Sequence, residues 1–248
     1  MPPTIAIVAA LPREIAALVH GTRPDPNLRR NGIHLYRLPN AIVVTAGMGA
    51  IRAAIAVQAA LATGSITTLI STGLAGSCTP NLTAGTAAEA SLVIDARTGE
   101  RFTTSQSPTV SPNPTSLTLA TTATIASVHE KSRLAATYSA ALVDMEAATV
   151  ARLALAHNLA FRAIKAISDA HDFELASLSR FEGPNGTFRT AAFTLHTALR
   201  PAHWRKTLHL GRNSSRALTA LHQALRAALT APNADAPADA PPPESHSQ

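Results

Sequence analysis

Apolar positions along this chain fall into short unbroken runs that alternate with stretches of helical spacing. Residues 4–10 (TIAIVAA) are continuous and rich in β-branched side chains, the pattern of a strand buried on both faces. Pro12 then opens a short helix reaching residue 19. Residues 33–38 and 41–46 read as two strands joined by a turn at Pro39-Asn40. Gly47-Met48-Gly49-Ala50 leads into a helix over 51–63. Residues 67–71 form another buried strand ending in a small-residue loop, Thr72-Gly73-Leu74-Ala75-Gly76-Ser77. Strands follow at 90–95 and across 117–128, with a Ser/Thr/Pro-rich loop at 104–116. A helix over 130–138, a strand over 139–143, a helix over 146–157 stopped by Asn158, and a strand over 161–167 complete the alternation. Residues 190–199, 201–210 and 213–229 read as three helices, and the Ala/Pro/Asp-rich segment 231–248 as a disordered tail. Strands alternating with helices predict an α/β fold with a mixed, mostly parallel sheet flanked by helices.

Composition narrows the class. The chain has 248 residues, 46% of them hydrophobic but only 4% aromatic, so its core is built from Ala, Val, Ile and Leu. A formal charge of +6 would suit an anionic ligand, yet the only adjacent basic pairs are Arg29-Arg30 and Arg205-Lys206. Dispersed charge of this kind is a solvated surface, not a nucleic-acid groove. A single cysteine, Cys78, excludes an internal disulfide and a cysteine-built zinc site. The pair His171-Asp172 lacks companions for a metal ligand set, and no metal or cofactor is expected. No apolar run reaches the length of a membrane span, and no basic residue precedes the apolar run at 5–11, so a cytoplasmic protein is expected.

Chemistry gathers at the strand ends. Glu14, Glu146 and Asp169 each follow a buried strand, and so do the glycine-bearing segments at Gly47-Gly49 and Gly73-Gly76. In an open α/β sheet such segments converge on one edge, where ligands bind. Glu14 and Glu146 also have a plainer reading, as first-turn acids facing a helix dipole, with Asp144 as a helix cap. Together, carboxyls in a partly apolar cleft can hold different protonation states, which suits cleavage of a glycosidic bond.

The order of apolar strand and Glu14, Gly47-Met48-Gly49-Ala50, Ser71-Thr72-Gly73-Leu74-Ala75-Gly76, Val143-Asp144-Met145-Glu146-Ala147 and Ala166-Ile167-Ser168-Asp169 resembles the nucleoside phosphorylase-I superfamily. Within it the pattern is most similar to methylthioadenosine/S-adenosylhomocysteine nucleosidases. The resemblance implies one such domain over residues 1–230, acting on a small nucleoside as a homodimer or larger homo-oligomer. It implies that Asp169 is the general acid on the departing purine, oriented by Ser168. Glu146 would accept from the ribose hydroxyls, with Met145 packed on the sugar. Glu14 would position or deprotonate the attacking water. Gly73, Ala75 and Gly76 would lie along base and ribose, with Gly49 nearby. Asp144 keeps a junction and capping role.

Departures from the family pattern leave alternatives open. Leu74 stands where the family's nucleosidases commonly have Ser, and the segment 86–92 differs from theirs. The phosphorylases' Gly-Asp-Pro loop and loop arginine are replaced by Leu11-Pro12-Arg13-Glu14 and Ser71. Water is therefore favoured as the nucleophile. Phosphate remains the alternative co-substrate, as in purine or hopanoid-associated phosphorylases, with Arg13 and Arg52 as its cations. A non-catalytic nucleoside-binding protein is the third reading.

Overall fold

The computed structural model describes residues 4–105, 117–174 and 204–230, the last with backbone alone over 204–212. The expected loop at 104–116, the helix at 190–199 and the tail at 231–248 therefore lie wholly or mostly outside the described residues. Strand β1 (Thr4–Ala9) is followed by a single helical turn, α1 (Pro12–Ile15), and a second one, α2 (Pro26–Arg29). Next come β2 (His34–Arg37), β3 (Ala41–Thr45), α3 (Ala50–Leu61) and β4 (Ile66–Ser77). Then follow β5 (Ala87–Ala90), β6 (Leu92–Asp95), β7 (Arg101–Thr103) and β8 (Thr118–Thr121). The rest is α4 (Val128–Tyr138), β9 (Ala140–Asp144), α5 (Ala147–Ala156), β10 (Ala160–Asp169) and α6 (Trp204–Thr230).

The fold is α/β, with one mixed sheet of ten strands flanked by helices. Its path runs β2-β3-β1-β4-β9-β8-β6-β7, and β10 lies against both β4 and β5. Because Ser91 alone separates β5 from β6, the pairings β4–β10–β5 and β6–β8–β9–β4 close almost into a ring. Strands β1, β3, β4 and β10 are parallel, so their carboxyl ends share one edge. Strand β9 meets β4 antiparallel through Gly76–Val143 and Ser77–Leu142. That crossing brings the end of β9 to the same edge.

Alternation along β1 divides the core. Ala6 and Val8 pack with Val57, Val150 and Ala154 under α3 and α5, while Ile5, Ile7 and Ala9 pack with Ala217, Leu221 and Leu225 of α6 on the other face. The buried residues of α6 recur at Ala217, Leu221, Leu225 and Ala228, a spacing of four, four and three that keeps one face on the sheet. Small side chains let the layers approach closely, which explains how an aromatic-poor chain fills its interior.

Several elements depart from the sequence expectation. The segment Thr72–Ser77 is no loop: β4 continues through it to twelve residues, because its amides find partners on β10 as far as Gly76. The helices expected at 201–210 and 213–229 are one helix. The strand expected across 117–128 stops at Thr121, and the residues after it turn into a cavity wall. The first helix is a single turn ending at Ile15.

Candidate active site

A cavity of about 420 Å³ opens at the shared strand edge. That is the size range of small-molecule sites. Its walls are mostly apolar, including Leu11, Met48, Leu74, Ile125, Met145 and Leu218. Three carboxyl groups expected from the sequence, those of Glu14, Glu146 and Asp169, line it together with Met145, Ser168, Ala75 and Gly76. Gly73 and Gly49 stand one layer back, each against one of these carboxylates.

Glu14 is fixed from three sides by backbone. Its Oε2 accepts from Ala10 N at 3.0 Å and Leu11 N at 2.9 Å, and its Oε1 from Leu74 N at 3.2 Å. The chain leaving β1 turns sharply at Leu11-Pro12, so the amides at the strand end have no strand partner and take the carboxylate instead. A Cβ at Gly73 would lie 3.0 Å from Glu14 Oε2, and Gly73 has φ +128°, so only glycine fits there. Burial pushes the Glu14 carboxyl above its ordinary range, against the pull of the Leu11 and Leu74 amides, Lys165 and Arg13.

Glu146 is the N-cap of α5, and its carboxylate reaches across the cavity. Oε1 accepts from Gly49 N at 2.7 Å, the start of α3. A helix amino terminus with φ +87° at its glycine thus serves a carboxylate of the protein itself. Burial, with the Asp144 charge second, raises Glu146 to about 7, opposed by Lys165 and the Gly49 amide. Its side chain keeps some contact with the cavity space, yet protein surrounds it on every other side, so desolvation governs.

Asp169 ends β10, 3% exposed. Ser168 Oγ donates to its Oδ1 at 2.5 Å, and Lys131 Nζ of α4 forms a buried ion pair with its Oδ2. Burial raises the Asp169 carboxyl, with the Lys131 charge the chief opposing cause.

Asp144 does cap, since its Oδ2 accepts from Ala147 N at 3.0 Å, but this is not its whole role. It is ion-paired at 2.8 Å with Lys165, whose side chain is fully buried, and Thr121 Oγ1 donates to its Oδ1 at 2.7 Å. Lys165 also donates to Ser71 Oγ at 3.0 Å and Thr72 O at 3.2 Å. Its charge opposes the upward shift of both Glu14 and Glu146. Arg52, expected as a cation for phosphate, is spent otherwise: its Nε donates to Ala46 O and its Nη2 to Gly32 O at 3.3 Å. Its guanidinium ties the loop before α3 to the turn after α2.

Sequence reasoning missed Lys131 and Lys165. A signal for Lys165 existed: residues 161–167 (FRAIKAI) put two cations into a buried strand, and each then requires a buried acid. Arg162 takes Glu89 at 2.7 Å, and Lys165 takes Asp144. Lys131 carries no such signal, because on an amphipathic helix a lysine reads as solvent-facing. Among the described residues, no group of three His, Cys, Asp or Glu is disposed to hold a metal, and no helix is long and apolar enough to cross a membrane.

Three carboxyls line one small-molecule cavity at the carboxyl edge of an α/β sheet, an arrangement suited to acid–base chemistry. Residues 4–123 and 114–198 match the family model of the phosphorylase superfamily, and the chain belongs to that family. No curated protein matches it by sequence. Among solved structures it is similar to futalosine hydrolase of Helicobacter pylori, at 17% identity over 90% of this chain and 97% of that one, with a TM-score of 0.64. It is also similar to the 5′-methylthioadenosine/S-adenosylhomocysteine nucleosidase of H. pylori, at 15% identity over 91% and 99% of the two chains and a TM-score of 0.63. The corresponding nucleosidase of S. pneumoniae, solved with a transition-state inhibitor, gives 20% identity over 90% and 99% and a TM-score of 0.60. At these identities the likeness is one of fold.

Proposed function

We propose that the protein hydrolyses the N-glycosidic bond of a purine nucleoside, with water as the nucleophile. The observation that carries this reading is the set of three carboxyls on one cavity, each in a different electrostatic setting. Burial keeps Asp169 protonated further up the pH scale than a free aspartic acid, so it can donate to the purine ring nitrogen N7 as the base leaves. The C1′–N9 electron pair goes to the base, and the sugar becomes oxocarbenium-like. Glu146, anchored by the Gly49 amide, accepts from the ribose 2′- and 3′-hydroxyls and, ionised, favours that positive charge. Glu14 accepts a proton from the water that attacks C1′. One proton leaves Asp169 and one arrives at Glu14, so the cycle balances once the two exchange with solvent.

Water is favoured over phosphate by the state of the cationic groups. Lys131 and Lys165 are already paired with Asp169 and Asp144. The amide at the start of α3 is taken by Glu146, and Arg52 is bound to carbonyl oxygens. A phosphate needs a cationic or backbone cradle, and these are committed elsewhere. Phosphorolysis is kept as a second reading on one observation, Arg13, whose exposed side chain lines the cavity. A nucleoside panel assayed in phosphate-free and phosphate-containing buffer separates the two, since only phosphorolysis yields ribose 1-phosphate. Cytoplasmic location and a homodimer or larger assembly acting on the small nucleoside without a cofactor belong to the same proposal.

A further inference from the structure

The acid at the end of β10 does not stand alone. Lys131 is 1% exposed although it lies on a helix whose other charged residues face outward. All three of its ammonium hydrogens are directed. One goes to Asp169 Oδ2, one to Ala170 O at 2.9 Å and one to Phe173 O at 3.1 Å. The same lysine lines the cavity. Strand β4 leaves room for the pair at Gly76, where a Cβ would meet Asp169 Oδ2 at 3.0 Å and Lys131 Cε at 3.2 Å. An apolar pair of similar volume would hold a core at least as well as a buried ion pair does. Stability therefore does not explain an ammonium at this place.

We propose that Lys131 is the positioning residue of Asp169: it fixes the carboxyl through Oδ2 and the Ala170–Phe173 segment behind it, and sets a positive charge beside the proton that passes to the base. This rests on the hydrolysis reading above. When Asp169 gives its proton to the base, the carboxylate left behind forms an ion pair with an ammonium already in place. The proton transfer is thereby favoured without any group having to reorient. Other titratable groups near the pair do not compete. Cys78, past the end of β4, is pushed up to about 12 by burial and stays a neutral thiol. On α4, Glu130 is held by Arg133 at 2.8 Å. Glu174, beyond β10, accepts from Val128 N at 3.2 Å at the start of that helix. Strand β9 presents Val143.

The test is the pH profile of kcat/KM for wild type, K131M and K131R on a nucleoside that the wild type hydrolyses. Without the cation, Asp169 keeps its proton longer. The alkaline limb of K131M should move up by about 1–3 pH units, and kcat on the plateau should fall about 10- to 100-fold. K131R should keep the limb within about half a pH unit of wild type and recover most of kcat, because guanidinium retains the charge. An active wild type, an inactive D169N and a K131M with unchanged limb and kcat but a lower Tm would overturn the positioning role alone. A wild type that releases no base from any nucleoside would overturn the hydrolysis reading and this inference together. Should K131M not fold, K131R decides: a limb displaced by more than about one pH unit overturns the proposal.

Discussion

Replacing Glu146 by Gln should stabilise the protein at high pH while disabling it. The carboxyl rises from an ordinary 4.5 to about 7 in the folded chain. A group raised on folding contributes stability that is full below its unfolded value and is lost as pH climbs through the folded one. For Glu146 that window runs from 4.5 to about 7. At about 1.36 kcal/mol per pH unit, wild type loses about 2 kcal/mol between pH 5 and pH 8 through this group, allowing for its partial contact with cavity water. A glutamine at this position cannot ionise, so E146Q should escape that loss. Its amide still offers the Gly49 N–H an oxygen. Urea melts of both proteins at pH 5 and pH 8 give four stabilities, and the difference of differences isolates the site. E146Q should gain about 2 kcal/mol on wild type at pH 8 compared with pH 5, with kcat/KM reduced at least about 100-fold. An E146Q gap that is the same at both pH values would show that Glu146 is not held under electrostatic strain, and the reasoning would fail. A stabilised but inactive variant is the signature of a residue retained for chemistry at a cost in stability.

Two further outcomes follow from the same geometry. G73A should lose activity, because the new Cβ meets Glu14 at 3.0 Å and φ +128° is strained for alanine. It should cost about 1–3 kcal/mol in a denaturant melt, and a wild-type kcat/KM would be the contrary result. K165M should lose about 3–5 kcal/mol, because it leaves the Asp144 carboxylate buried without its partner. The double variant K165M/D144N should recover part of that loss, and failure to do so would mean that Lys165 matters for packing rather than charge.

Much of the site is legible in the sequence because strand ends are legible. The runs before Glu14, Asp144 and Ser168-Asp169 are apolar and continuous, and β1, β4 and β10 lie side by side in the structure. Glycine at 73 and 76 reads locally as a loop. The physical reason is closer: each glycine leaves room for a carboxylate, and the strand runs straight through. Lys131 is illegible because helical periodicity assigns a lysine to solvent, and only the packing of α4 on β9 and β8, which sets Lys131 beside the end of β10, turns it inward. Lys165 and Asp144 lie well apart along the chain, and only the pairing of strands reveals them as partners. The cavity's outer wall from α6, with Ser214 and Leu218, depends on a helix docking from beyond residue 200, which no local pattern reports.

The most direct test of the central claim is base release from a panel of purine nucleosides by wild type and D169N, each with and without phosphate. Wild type should free the base and ribose at the same rate in both buffers, and D169N should be slower by about 1,000-fold. Base release that requires phosphate and yields ribose 1-phosphate would contradict water as the nucleophile. An undiminished D169N would contradict the assignment of the acid.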